Sequence, residues 1–183
     1  MRTLSLDAST THIGWSVFDE DDLITYGLIE AEKKMTWRER IGHFSPMLKE
    51  VVKKNKIDIV VQEDVPKMNK GGAMTLIQLG AVQGMSISLF SSLGIPIQFI
   101  EVGTWRKNIG ISTGDKSREA KKIKSIEMAN KLFGLNLPIN YTKGGNYKEE
   151  GSDDISDSIL LYCSTRNKYK VQPKTFGKRK ARV

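Results

Sequence analysis

The sequence has little of what builds a soft-metal or disulfide protein. It holds one cysteine, Cys163, and two histidines, His12 and His43, among 183 residues. A single thiol excludes an internal disulfide framework and a cysteine-based zinc site, and two imidazoles are too few for a histidine-rich metal centre. Charge is missing from one stretch and acid from another. No charged residue lies between Lys70 and Glu101. That run is long enough to cross a bilayer, but Gln78, Gln83, Gln98, its serines and glycines and Pro96 suit it poorly to lipid. It reads instead as a buried helix followed by a buried strand. The N-terminus has Arg2 and Asp7 within its first apolar run, which makes a poor secretory signal, so the expected compartment is the cytoplasm. Over residues 168–183 there are seven cations, Lys168, Lys170, Lys174, Lys178, Arg179, Lys180 and Arg182, and no acid.

What is present is an ordinary globular composition. Hydrophobic residues make up 39% and charged residues 27%, which fits one compact domain with a real core and excludes disorder along the whole chain. The formal net charge is +8. The seven tail cations leave only +1 on residues 1–167. The expected organisation is therefore one folded domain over 1–167 and a flexible basic tail over 168–183. The tail is either a solubilising end or an arm for nucleic-acid phosphates. A second basic run, Lys116, Arg118, Lys121, Lys122 and Lys124, adjoins Ala120, Ile123, Ile126 and Phe133 at helical spacing and reads as a solvated charged face.

Periodicity predicts strands over 2–7, 14–18 and 23–30, joined as a meander, then a helix over 36–55 and a buried central strand over 57–63. A long helix over 73–93, a strand over 96–102 and helices over 116–133 and 153–167 follow, with a polar, Gly-rich loop over 136–151. This order implies an α/β protein: a mixed five-stranded sheet flanked by helices on both faces.

The carboxylates at element ends carry the chemistry. Asp7 closes the first strand, in LSLDAST, and Glu63 closes the fourth, in IVVQEDV. Adjacent strand ends in such a sheet are where sites are built. Asp154 and Asp157 open the last helix, in SDDISDSILLY, and share a face at i, i+3 spacing. Asp153, four residues before Asp157, is an alternative to Asp154, and either aspartate could instead cap the helix. Carboxylates clustered beside apolar runs repel one another, and burial adds to the cost of ionising them. A divalent cation resolves that conflict, and oxygen-only ligands point to Mg²⁺ or Mn²⁺. Acids that hold metal beside a basic surface that holds phosphates is an arrangement suited to phosphodiester cleavage. Asp64 is expected to point away from Glu63 by strand alternation. His12 and His43 read as surface or capping residues, and Cys163 as packing.

The segments LSLDASTTHIGWSV, IVVQEDV, LIQLGAVQGM, GISTGDKS and DDISDSILL, in that order, resemble the RuvC family of Holliday-junction resolvases within the RNase H-like superfamily, most closely its divergent phage-type members. The resemblance covers about residues 1–167. It implies an RNase H-like nuclease domain and a Mg²⁺-dependent endonuclease with two ions per site, Mn²⁺ substituting. Its substrate would be four-way junctions and other branched DNA, nicked in pairs by a homodimer, in a bacterial host's cytoplasm if the gene is a phage's. Asp7, Glu63, Asp154 and Asp157 would be the catalytic acids and metal ligands. Asp154 is chosen over Asp153 because the family's aspartates three apart are followed by a small residue, here Ser158.

Lys116, in GDKS, matches a basic catalytic residue near the scissile phosphate, and Arg106 or Lys107 a second. Lys67, Lys70, Lys178, Arg179 and Lys180 are further DNA-binding candidates. The helix over 73–93 is the expected dimer element, since Gly80, Gly84 and Ser88 recur every four residues. In EDVPKMNKGG, Pro66 and Lys67 stand where family members often carry a junction-probing aromatic, which implies reading of branch shape over sequence. Three rival readings remain. DASTTHIGWSV also resembles a sugar-kinase phosphate loop, although that fold needs two domains. A non-catalytic branched-DNA-binding protein on the same fold is the second. An RNase H-like nuclease for RNA or simple duplexes is the third.

Overall fold

The computed structural model describes residues 1–66, 72–111, 117–148 and 151–170. The chain begins with three antiparallel strands, β1 (Arg2–Ala8), β2 (His12–Asp19) and β3 (Asp22–Glu30). Helix α1 (Trp37–Asn55) leads to β4 (Ile59–Glu63), and α2 (Ala73–Ser92) leads to β5 (Ile97–Ile100). Then come α3 (Val102–Asn108), α4 (Arg118–Phe133), a small hairpin of β6 (Asn140–Tyr141) and β7 (Tyr147–Lys148), α5 (Ser152–Thr165) and a short 3₁₀ turn. The main sheet runs β3-β2-β1-β4-β5. The first three strands in that order are antiparallel, and β1, β4 and β5 are parallel.

Alternation along the strands divides the residues between two cores. Leu4, Leu6, Ile13, Val17 and Val60 face α1 and α2, where Phe44, Leu48 and Phe90 meet them. Phe18 and Val61 face the other way, toward Trp105 of α3, Ile126 of α4 and Ile159 and Leu160 of α5. Helices thus cover both faces, as the sequence implies. Helix α1 begins with a capping box. The Glu39 amide donates to Thr36 Oγ1 at 3.4 Å, and the Thr36 amide donates to Glu39 Oε2 at 2.7 Å, satisfying two amides that a helix start otherwise leaves unpaired.

Helix α5 lies across β2, β1 and β4, and the sheet makes room for it. Ser5 and Ser16 are paired across β1 and β2, fully buried, and on the α5 face by alternation. Gly14 lies beyond them. A Cβ built there would stand 2.1 Å from the backbone oxygen of Asp154, so only glycine lets the first turn of α5 rest on the sheet. Gly151, just before the helix, has φ +80° and would press a Cβ against Leu28. A bare residue is required there for both reasons.

Four expectations need correcting. The uncharged stretch is not a buried helix and a buried strand. Helix α2 buries Val82, Ser86, Leu89 and Phe90 but exposes Met74, Ile77 and Ile87, and β5 is the edge strand with Gln98 exposed. Among the described residues no strand lies beyond β5, so the sheet ends before it can cover α2. Among the described residues α2 is also the one helix long and apolar enough to cross a membrane, although its second half is anchored in the α1 core. The loop over 136–151 contains the β6–β7 hairpin, and α3 adds a helix beyond the expected set. Finally, the basic segment starts on the body. Tyr169 packs 6.0 Å from the Phe133 ring, and Lys168 pairs with Asp21 at 3.7 Å. Lys178, Arg179 and Lys180 lie outside the described residues.

Candidate active site

Strands β1 and β4 are parallel neighbours with Leu6 opposite Gln62, so Asp7 and Glu63 follow at the same level. Both share the parity of residues facing α5, Asp7 with Ser5 and Glu63 with Val61. Gly14 is the β2 partner of Asp7 and is the residue on which Asp154 rests. One contact thus brings the start of α5 to the end of β1. Asp157 follows one turn later on the same helix face. All four carboxylates line a cavity of about 310 Å³.

Helix α3 delivers two further side chains, Arg106, one of the two basic candidates, and Trp105, which the sequence reading did not single out. The fully buried Trp105 donates its indole N–H to Glu63 Oε2 at 2.7 Å. Arg106 donates from Nη2 to Asp157 Oδ2 at 2.8 Å, and its guanidinium lies 4.9 Å from the Trp105 ring. The available signal was the WRK sequence one turn past a strand. A buried indole needs an acceptor, and an acid at a neighbouring strand end is one.

Crowding dominates the electrostatics. Burial pushes the Asp7 carboxyl well above its usual range, and the charges of Glu63, Asp157 and Asp154 push it further, while Arg106 pulls it back. Burial and Asp157 raise Glu63 to about 7, against the Trp105 hydrogen bond and Arg106. Burial raises Asp157 as well, opposed first by Arg106. The cavity is short of positive charge.

The two adjacent aspartates both line the cavity but have different partners. Asp153 is 3% exposed and is turned to α4 and β7, where it takes an ion pair from Lys122 and accepts the Tyr147 hydroxyl at 3.2 Å. Asp154 acts on Asp7, with its Oδ2 3.8 Å from His12 Nδ1. Lys122 is therefore an inward partner of Asp153, not part of a solvated face, because α4 packs on α5. Arg118 lies on the cavity wall beside it. Asp64 also corrects an expectation. It follows the last residue of β4, where alternation lapses, so it borders the same cavity and accepts from Gln83 at 2.9 Å. His12, expected at the surface, stands between Asp154 and Glu30, 3.4 Å from the latter. Arg106 is inside the site, whereas Lys107 is exposed and away from the cavity. Lys116, Lys67 and Lys70 lie outside the described residues. Cys163 is buried and its thiol is pushed up to about 12, as packing requires.

Among the described residues, no three histidine, cysteine or acidic side chains stand close enough as placed to hold an ion. The donors nevertheless fit a hard divalent cation in kind. They are all carboxylates, two with unmet demand for positive charge. In addition, Asp157 Oδ1 is buried without a well-formed hydrogen bond among the described residues.

No protein-family model matches the chain, and no curated protein does. Solved structures do. Thermus thermophilus RuvC in complex with a Holliday junction substrate superposes with a TM-score of 0.64 at 14% identity, over 88% of this chain and 90% of that one. Thermus thermophilus RuvC alone gives 0.61 at 15% identity, over 90% and 96%. The yeast mitochondrial Holliday junction resolvase gives 0.52 at 13% identity, over 87% and 75%. With its five-stranded mixed sheet and helices on both faces, the chain has a RuvC-like fold of the RNase H-like class.

Proposed function

We propose that this chain is a structure-selective endonuclease that resolves Holliday junctions and other branched DNA. The observation that carries this reading is the meeting of Asp7, Glu63, Asp154 and Asp157 in one cavity on a RuvC-like fold. A purely DNA-binding protein gains nothing from four acids beside a phosphodiester, since they repel it. Those four carboxylates would hold two Mg²⁺ ions, with Mn²⁺ able to substitute. Bound there, the ions supply a water activated for attack and stabilisation of the departing oxygen.

The chain's own residues prepare that site. Trp105 fixes Glu63, the Lys122–Asp153 pair fixes the start of α5, and Arg106 and Arg118 offer guanidinium groups to phosphate oxygens. Paired nicks need two such sites, so the working form is a homodimer. Helix α2 suits that contact. A Cβ added at Gly80 or Gly84 meets nothing within 4 Å, and exposed Met74, Ile77 and Ile87 flank them. Phosphate contacts position DNA without reading sequence, so geometry at the branch would select the substrate.

The test is incubation with labelled four-way, three-way, flapped and linear duplexes and Mg²⁺, with the cut strands mapped. Symmetric cuts near the branch point are expected, little cleavage of linear duplex, and no cutting when EDTA replaces Mg²⁺. Asp7→Asn should cut at least about a hundredfold more slowly while still binding junctions. Cutting by that variant at the wild-type rate, or equal cutting of linear DNA or RNA, overturns the reading.

A further inference from the structure

We infer that Arg106 is the resident counter-ion of the acidic cavity and hands Asp157 over when a DNA phosphate takes its guanidinium, so that DNA and divalent cation load the site together. This rests on the nuclease reading above.

The geometry leaves Asp157 half engaged. Its Oδ2 is held by Arg106 Nη2 at 2.8 Å, its Oδ1 is buried without a well-formed hydrogen bond among the described residues, and the Ser125 hydroxyl of α4 also favours its charged form. An oxygen that accepts a guanidinium N–H has one lone pair engaged, and the cation held beside it repels an incoming metal ion. Arg118 and Lys122 also line the cavity, but the Arg106 guanidinium is the cation that moderates Asp7, Glu63 and Asp157 together. A cation entering the cavity would have to displace it or be repelled by it.

Arg106 is equipped to leave. Its side chain is 23% exposed against 7% for Asp157, so it sits on the solvent side of the pair. Its Nε is buried and unpartnered among the described residues, so the fork is only partly used. The neighbouring Trp105 ring gives the guanidinium a flat surface to slide over, and that ring is itself fixed by its bond to Glu63. A phosphate offers two oxygens in the plane of the fork, a match that a single carboxylate oxygen does not provide. Once Arg106 pairs with phosphate, Oδ2 of Asp157, on the cavity wall, loses its cationic partner. The site then becomes more anionic where a metal is needed and less anionic where the DNA strand lies. Binding free energies are reciprocal, so metal must raise DNA affinity by the same factor that DNA raises metal affinity.

The experiment measures binding without relying on turnover. Calcium affinity is determined by calorimetry for the full chain, with and without a four-way junction shown by gel to remain uncut. The wild type should bind Ca²⁺ weakly alone and about tenfold or more tightly with junction. Arg106→Gln should bind Ca²⁺ about tenfold or more tightly than the wild type without DNA, since a full charge has been removed from beside the ligands, and its gain from junction should shrink toward none. Combining Arg106→Gln with Asp157→Asn should abolish the tighter binding, which isolates Asp157 as its source. Arg106→Lys keeps the charge without the fork, should fall between the two, and serves if the glutamine variant does not fold. If the wild type binds Ca²⁺ but neither Arg106 variant binds it more tightly, the hand-over is overturned and the nuclease reading stands. If no form binds Ca²⁺ with or without junction, the metal-dependent reading itself fails, and the hand-over with it.

Discussion

Helices α5 and α2 invert the usual relation between polarity and burial. Helix α5 carries three aspartates and four serines in fourteen residues, and eleven of the fourteen are buried. Helix α2 has no charged residue in twenty, and only four are buried. The hydrophobic effect alone would exchange them. The acids of α5 lie inside because the sheet beneath them is lined with Gly14, Ser5 and Ser16, and because Lys122, Tyr147 and Arg106 meet them there. The apolar face of α2 lies outside because β5 ends the sheet. One helix has accepted an electrostatic burden and the other an exposed apolar surface, and each is explained by a partner. For α5 that partner is cationic; for α2 the proposed partner is a second copy of the chain.

Variants at the two helices should separate these roles. Gly14→Ala strikes the seat of α5 and has the largest expected effect, about 3 kcal/mol or more, because a Cβ there overlaps backbone that no side-chain rotation can clear. Urea unfolding should show it as a lowered midpoint, and an unchanged midpoint would mean that α5 does not rest on β2.

Glu63→Gln comes next, with the opposite sign. The folded protein keeps the Glu63 proton up to about pH 7, while an unfolded glutamate releases it near 4.5. The metal-free wild type should therefore lose stability as pH rises between those values and stay at the lower level above them. The glutamine variant should lack this slope and, in EDTA at pH 8, be more stable by about 2 kcal/mol. Equal pH profiles for the two proteins would refute the account of crowded acids.

Trp105→Phe keeps the aromatic bulk and deletes one donor, so about 1 kcal/mol should be lost. Glu63, deprived of the bond that favours its charged form, should move the declining part of the pH profile to still higher pH. Ile77→Arg on α2 should change monomer stability by no more than about 0.5 kcal/mol, yet abolish the dimer in sedimentation. A dimer that survives this change would move the contact elsewhere and leave the apolar face of α2 without a partner.

The sequence could disclose these features only where the information was local. Asp7 and Glu63 were legible because each closes a run of strand residues, and Asp157 because helical spacing ties it to its neighbours. What sets Asp153 apart from Asp154 is not a local matter. It depends on Lys122 and Tyr147, which reach α5 from α4 and β7. Trp105 escaped notice, and Arg106 could not be told from Lys107, because their places are decided only when β5 pairs with β4 and turns α3 over the strand ends. Asp64 was misjudged because a rule of alternation was carried one residue past the end of its strand. Helix α2 was misjudged for another reason. An apolar helix reads the same whether its own sheet or another molecule covers it.

The anchoring of Lys168 and Tyr169 at Asp21 determines where the basic tail departs. Asp21 lies in the β2–β3 turn, near the start of β1, whereas Asp7 and the cavity are at the other end of that strand. The tail therefore leaves from the pole opposite the acids. Its thirteen remaining residues, 171–183, have a contour of at most about 45 Å, roughly twice the length of a fourteen-residue helix such as α5. On the proposed junction complex, that length extends the footprint along the duplex arms, well away from the branch. Each phosphate gripped there adds about 0.9 to the salt slope of binding and nothing to the choice of bond cut. On the proposed function, capture and chemistry would thus have separate handles, the basic segment leaving from one pole and the acidic cavity standing at the other.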